Sequence, residues 1–341
     1  MKRTYPILAV LILCFTPVKA QFIQEVSKVG TTGATFLELG VGARAIGMGS
    51  AFVATANDVT ALYWNPAGLA RLNSSEATFM HANWFVDAAF DYASLALSLG
   101  STGTLAVQFT SLSVSQEPVR TILQPEGTGE LFDGGSVALG LGYAYNITDH
   151  VSLGIGAKYI NETIWHSSAS GFAMDIGTLF VTSFNGLRIG MSIANFGTKM
   201  RMSGSDAAVL VDPDPTKAGN NEKIPARYDT ETWDLPLIFR VGVAMEVFET
   251  ADHRFTLAVD ANHPNDNTEY LNVGGEYSFD DTFFARAGYA NAFVKDGETD
   301  LTLGFGVKYA LSAGTAAKAD YSYSRFGVLG NIQRIQVSVT F

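Results

Sequence analysis

The chain is nearly devoid of cysteine: one residue, Cys14, in 341. With no second cysteine there is no disulfide framework, and Cys14 lies inside an N-terminal apolar stretch that reads as a cleaved leader, so no thiol nucleophile is expected either. Leu13 precedes Cys14 where a lipoprotein signal would need a small residue. Positive charge is also scarce, with 22 Lys and Arg against 33 Asp and Glu. An acidic chain lacks the basic surface that phosphate backbones require, which excludes nucleic acid as a partner. The five histidines, His81, His150, His166, His253 and His263, show no zinc-ligand spacing, and no serine sits in a nucleophile elbow. No cofactor, no metal and no enzymatic activity are therefore expected. Beyond the leader, no run of 18 uncharged apolar residues is present, so no membrane helix is expected. Yet 47% of the chain is hydrophobic, with 34 Gly, 23 Phe and 13 Tyr. That apolar content needs another destination.

The leader occupies residues 1–20. Lys2 and Arg3 supply a positive start, Ile7 to Phe15 the apolar stretch, and Val18-Lys19-Ala20 a small-residue cleavage site before Gln21. Its loss removes three basic residues and makes the exported chain more acidic still. The reading is a signal peptide that sends the protein to the outer membrane of a Gram-negative bacterium.

What is abundant is alternation. LTLGFGVKY (301–309) places Leu301, Leu303, Phe305, Val307 and Tyr309 on one face and Thr302, Gly304, Gly306 and Lys308 on the other. VSLGIGAKY (151–159) and the stretch 237–247 repeat the scheme. A soluble sandwich would alternate as well, but three features favour a membrane barrel. The segments run about nine to twelve residues, close to a tilted bilayer crossing. Several end in aromatics, among them Tyr145, Tyr159, Tyr277, Tyr289 and Tyr309, as an interfacial girdle requires. The chain also closes on IQVSVTF, alternating up to Phe341. Fourteen such segments can be counted between 75 and 341, an even number that suits a single-chain outer-membrane barrel. Short turns at 100–103, 147–149, 183–186 and 280–281 alternate with longer connections at 115–134, 198–236, 263–268 and 291–299. The short-turn side, with both termini, is read as periplasmic. The expected fold class is thus all-β: a transmembrane antiparallel barrel of about 14 strands over 73–341, in contact with outer-membrane lipid.

Such a barrel is too wide to be filled by its own side chains. Residues 21–72, rich in small residues, precede the first strand and are read as an N-terminal plug with short helical turns. Within ATANDVTALYWNPAGLARL (54–72), Pro66 interrupts the apolar run and pushes Asn65 out of helical geometry. The result is one turn, a stop and another turn, too short to be stable alone and held by the wall. Asn65, Pro66, Ala67, Gly68 and Leu69 form the elbow. Phe36, Phe52, Tyr63 and Trp64 are candidates for an apolar pocket between plug and wall. Lys158, Asp175, Arg188, Arg240, Glu246, Asp260, Glu276, Arg286 and Lys308 fall on inward faces; with Arg44 and Asp58 of the plug they form a candidate charge network in which lumen charges pair with each other.

The run FLELGVGARAIGMGSAFVATANDVTALYWNPAGLARL (36–72) resembles the opening of the PorV/PorQ family, within the FadL-type outer-membrane barrel superfamily, and its NPAGL matches the FadL-type plug elbow. ASGFAMDIGTLF (169–180), GLRIGMSIANFG (186–197), LPLIFRVGVA (235–244), HPNDN (263–267) and GVLGN (327–331) resemble further PorV/PorQ segments. The resemblance implies a fourteen-stranded barrel with an N-terminal plug. It also implies one of two roles. The first is a PorV-like scaffold or shuttle for exported proteins, with secreted proteins or type IX secretion components as partners. The alternative is a FadL-like channel for a hydrophobic small molecule.

Two motifs receive plainer readings. Gly40-Val41-Gly42-Ala43-Arg44-Ala45 fits G-x-G-x-x-A literally, but no strand precedes it and no parallel sheet follows, so its small residues serve close packing. Asp206, Asp212 and Asp214 crowd an oxygen-rich outer loop without the ligand spacing of a calcium site. The loops at 115–134 and 198–236 are the candidate partner contacts.

Overall fold

A computed structural model describes residues 28–217, 219, 223–294 and 299–341. The expected signal peptide, Cys14 and the first residues of the expected plug lie outside the described residues.

Period-two patterning becomes a closed wall. Its first seven strands are β1 (Glu76–Asn83), β2 (Ala89–Ser98), β3 (Thr104–Pro118), β4 (Leu131–Asn146), β5 (Val151–Ile164), β6 (Ser167–Val181) and β7 (Arg188–Gly197). The second seven are β8 (Ile238–Glu249), β9 (His253–Pro264), β10 (Tyr270–Phe279), β11 (Phe283–Ala292), β12 (Thr299–Ser312), β13 (Thr315–Phe326) and β14 (Gly330–Thr340). Each strand pairs antiparallel with its chain neighbour. β14 returns to β1, with Phe79 opposite Val337 and Ala82 opposite Arg334. Closure leaves no strand edge unpaired, the condition for a sheet in lipid. Fourteen strands and a closed antiparallel barrel match the sequence expectation.

The two faces of the wall differ as the alternation dictates. Leu139, Leu141, Ile155, Phe172, Phe305 and Ile335 point outward and are exposed, while Ser152, Lys158, Asp175, Arg286, Asp320 and Arg334 point inward and are buried. An apolar exterior around a polar interior inverts a soluble sandwich and is the pattern of a lipid-facing barrel.

Five strands clearly outrun the expected span. β3 to β6 and β12 are 14 to 16 residues long, more than the roughly 9 to 11 needed to cross a bilayer. Ser115 to Pro118 in β3 lose the alternation because they continue as a solvent-exposed hairpin against Leu131 and Phe132. The outer connection 198–237 is likewise built rather than plain loop. Ala208–Val211 pairs with Ile224–Arg227, Met200–Arg201 with Thr232–Trp233, and Ser203–Gly204 extends the sheet beside Ser167–Ser168.

Inside the wall run the plug residues. A 3-10 turn (Thr35–Glu38), helix α1 (Ala43–Gly47), helix α2 (Ala61–Trp64) and a second 3-10 turn (Pro66–Arg71) follow one another. The break at Asn65 falls where Pro66 demands it: Asn65 is extended, at φ −158° and ψ 100°. The plug crosses the whole lumen. Thr32 bridges to Asp234 at the long-loop rim, whereas Arg71 donates to Ser152 and to the Asp149 carbonyl at the short-turn rim.

Closure is testable because the exported chain is expected to contain no cysteine. The double variant F79C/V337C places two outward thiols on paired residues of β1 and β14. Oxidation is expected to cross-link them in the folded barrel and to abolish the slow-migrating heat-denatured band on a gel. Free thiols in the assembled protein would contradict the pairing.

Candidate functional site: a plugged lumen with an outer chamber

Short helices cannot satisfy their own amides, since the first four N–H groups of a helix lack intrahelical partners. The wall supplies the acceptors. The Asp260 carboxylate accepts from the Phe52 and Val53 amides at 2.6 and 2.8 Å. Gln336 Oε1 accepts from Ala43 N at 2.7 Å and Thr302 Oγ1 from Gly49 N at 2.9 Å. The elbow is fixed the same way. Asn65 Nδ2 donates to Val53 O and to Thr178 O of the wall at 2.9 and 3.0 Å, while its Oδ1 caps the Ala67 amide.

These hydrogen bonds require the plug backbone to lie directly on the wall, and glycines make the room. Inward positions Gly154, Gly177, Gly190, Gly274, Gly288 and Gly304 form a belt, in which Gly154 faces Gly177 and Gly274 faces Gly288 across strand pairs. A Cβ at Gly274 would overlap the Met48 carbonyl, one at Gly288 the Gly49 amide, and one at Gly154 the Pro66 carbonyl. From the plug side Gly47 and Gly49 complete the same close approach, against the Gly304 backbone and the Tyr289 amide.

The candidate charges separate into pairs and exceptions. Lys158 pairs with Asp175 at 2.9 Å and Arg188 with Glu246 at 2.6 Å. Arg44 bridges Asp58 at 3.2 Å and Glu276 at 2.8 Å, and Glu276 also receives Arg286 at 2.6 Å. Burial disfavours the Arg44 charge, but Glu276 and Asp58 more than offset it and raise its pKa. Asp260 is spent on the plug backbone. Two candidates join no pair among the described residues: Lys308, exposed at the short-turn mouth, and Arg240, which lies 5.6 Å from the ring centroids of Tyr63 and Trp64. Asp320, which receives Arg286 at 2.7 Å, and Arg334 were not among the sequence candidates. Strand parity places both inward, alternating with Tyr321 and Ile335, and was the available signal.

The pocket expectation is corrected in two respects. Phe36 lines none of the cavities described among these residues; it packs with Ile160, Met200 and Leu235 in a core cluster between the plug and the outer connection. Phe52 is fully buried between Arg44 and Trp64, at 5.2 and 6.3 Å. Both are consumed in packing, since burying a large apolar side chain stabilises by about 1.5–3 kcal/mol. Tyr63 and Trp64 do reach a cavity of about 160 Å³ in the long-loop half, which Trp84, Tyr270 and Phe326 also line. That chamber is not apolar. Glu38, Arg240, Asn262, Asn272, Thr302, Ser324 and Arg334 share its wall. Trp84, Phe85 and Phe326 pack edge to face at 5.3 to 5.5 Å on its outer side. Glu38 is exposed at the chamber, yet the protein around it partly desolvates its carboxyl and, with Asp266 nearby, holds it up to about 7. Below the plug, a charged vestibule of about 340 Å³ carries Arg44, Asp58, Glu76, Arg254 and Lys318. Among the described residues no cluster of His, Cys, Asp and Glu is arranged to hold a metal ion.

The geometry, a closed fourteen-stranded antiparallel barrel with a few short helices, resembles that of FadL outer-membrane channels. The toluene transporter TodX of Pseudomonas putida superposes with a TM-score of 0.55 at 12% identity, covering 88% of this chain and 97% of that one. TbuX, the toluene transporter of Ralstonia pickettii, gives 0.54 at 11% identity over 88% and 97%. A FadL homologue of Pseudomonas aeruginosa gives 0.51 at 11% over 86% and 96%. At such identities the likeness is one of fold. A model of an uncharacterised protein family, UPF0164, matches residues 16–121, which span the plug and β1 to β3. No curated protein matches.

The glycine belt predicts a sharp contrast on one strand. G274A drives a methyl into the Met48 carbonyl and is expected to lower stability by about 1–3 kcal/mol, the range for overpacking. G275A, on the outward face beside Phe255 and Leu257, is expected to be nearly neutral. Urea unfolding in detergent measures both, and equal effects would contradict the docking.

Glu38 gives a pH signature. Its folded pKa of about 7 exceeds the ordinary 4.5, so the folded chain holds the proton more tightly than the unfolded one. Its contribution is full below 4.5 and is lost as pH rises through 7. E38Q is expected to remove that loss, leaving wild type less stable relative to E38Q at pH 8 than at pH 4.5. Parallel pH profiles would contradict it.

Proposed function

We propose that this protein is an outer-membrane passage for a small molecule with an apolar body, and not an enzyme. The carrying observation is the chamber. It lies partly open between plug and wall, is lined in part by Tyr63, Trp64, Trp84, Tyr270 and Phe326, and sits at the long-loop half where a solute from outside would first meet protein. A concave pocket that sets aromatic surface beside convergent polar groups is a form that small-molecule sites take. The TodX and TbuX likeness supports the reading, as both are described as toluene transporters.

The PorV-like scaffold reading takes second place. It rests on the motif resemblance and on exposed apolar residues at the outer loop tips, Ile122, Leu123 and Val328, which suit contact with an exported protein. In either role the apolar exterior supports a barrel seated in outer-membrane lipid.

Expression in a Gram-negative host lacking its own channel for hydrophobic compounds is expected to raise uptake of a monoaromatic compound several-fold. A290W fills the chamber from β11 and is expected to cancel the gain while assembly, read by heat-modifiable gel migration, is retained. Unchanged uptake with a correctly assembled barrel would contradict the passage. If strains lacking the chain instead lose surface delivery of exported proteins, the scaffold role takes over.

A further inference from the structure

The chamber holds two buried guanidiniums that form no ion pair among the described residues, although Glu38 and Asp260 act on Arg240 from beyond ion-pair distance. Arg240 and Arg334 both line it and are 5% and 2% exposed. The third buried arginine among the described residues, Arg286, does meet carboxylates and lies against Glu276 and Asp320. Arg240 and Arg334 have no carboxylate within ion-pair distance among the described residues. Arg334 stacks 5.4 Å from the Trp84 ring centroid and donates to Ser324 Oγ at 3.2 Å, while Arg240 lies over Tyr63 and Trp64. Cation–π contacts and a hydroxyl are poor substitutes for an anion when charge is taken out of water. Three donor nitrogens in this lining also have no acceptor among the described residues: Arg240 Nη1, Arg334 Nε and Asn262 Nδ2. Buried donors are nearly always satisfied, and exceptions ask for a reason.

We propose that the chamber binds a compact carboxylate with an aromatic body, the carboxylate lying between Arg240 and Arg334. The inference deepens the passage reading and rests on it for the role of the chamber. Volume sets the size: about 160 Å³ admits one small ring with its carboxylate and excludes a long acyl chain lying within it. Chemistry sets the charge. Guanidinium forks match carboxylate geometry, with charge-assisted hydrogen bonds about twice as strong as neutral ones. The aromatic lining supplies faces and edges for the ring. Glu38 is the one carboxyl in the lining; its proton affinity near neutral pH limits the negative charge opposing an incoming anion. The site therefore differs in its ligand charge from one built for a neutral hydrocarbon.

The test uses the purified full barrel in detergent at pH 7, with benzoate as probe and benzamide and toluene as neutral counterparts of similar shape. Binding is read by calorimetry and by the fluorescence of Trp64 and Trp84. Benzoate is expected to bind at least tenfold more tightly than either neutral compound, and R240Q/R334Q to erase that preference. A second measurement covers the event that the double variant fails to fold: R334M alone, which removes an unneutralised buried charge, is expected to raise the urea midpoint and to weaken benzoate at least fivefold. Benzamide or toluene binding as tightly as benzoate, or a benzoate affinity unchanged in R334M, would overturn the proposal. Uptake of neutral monoaromatics by the expressing host is scored separately, so the loss of anion preference with uptake retained overturns this inference and leaves the passage standing.

Discussion

The structure depends on one contact, the backbone of the plug laid against a belt of glycines on the inner wall. A fourteen-stranded barrel without contents would enclose water. Filling it with side chains alone would need residues longer than those present at its inward positions. The chain instead brings in residues 28–72, whose turns are too short to hold themselves. Their amides become ordered only because Asp260, Gln336 and Thr302 accept from them, and these bonds form only because Gly274, Gly288 and their neighbours permit the approach. Each side completes the other. The plug lacks a fold of its own, and the wall lacks a core.

Charge follows the same division. On the short-turn side the ions are densely paired, with Arg44 of the plug tied to Glu276 of the wall and through it to Arg286 and Asp320. Removing one partner from such a buried set leaves the other uncompensated, which costs about 3–5 kcal/mol, so this network clamps the plug. Inside the lumen on the long-loop side, two arginines lack such a pair among the described residues. Arg240 and Arg334 face a small aromatic chamber beneath Trp84, Phe85 and Phe326. One half of the lumen is built to stay shut, and the other keeps unsatisfied polarity where a solute would arrive.

Much of the wall was legible because a strand in lipid obeys a strict rule. Leu301, Leu303, Phe305 and Val307 must all face outward or none can, and the alternation survives reading by eye. Strand ends were less legible. Ser115 to Pro118 project beyond the apolar band, where nothing enforces alternation, and the paired segments in 198–237 are short and irregular for the same reason. The elbow was legible because Pro66 dictates the break and Asn65 is a strong cap. Phe36 and Phe52 were misassigned to a pocket because an apolar side chain in a small-residue segment reads the same whether it fills a cluster or lines a cavity. The glycine belt could not be read, although each inward glycine could, since a belt exists only once the register between strands is known. Arg334 was within reach of parity, two residues from Gln336 on the same inward face, but its lack of an anion is a fact of three dimensions.

The central claim, that residues 28–72 seal the lumen by docking on the inner wall, is tested most directly by single-channel conductance in a planar bilayer. The intact protein is expected to insert without a stable open-pore current, and a variant with residues 28–72 deleted to give large, steady steps. Steady steps of the same size from the intact protein would contradict the account.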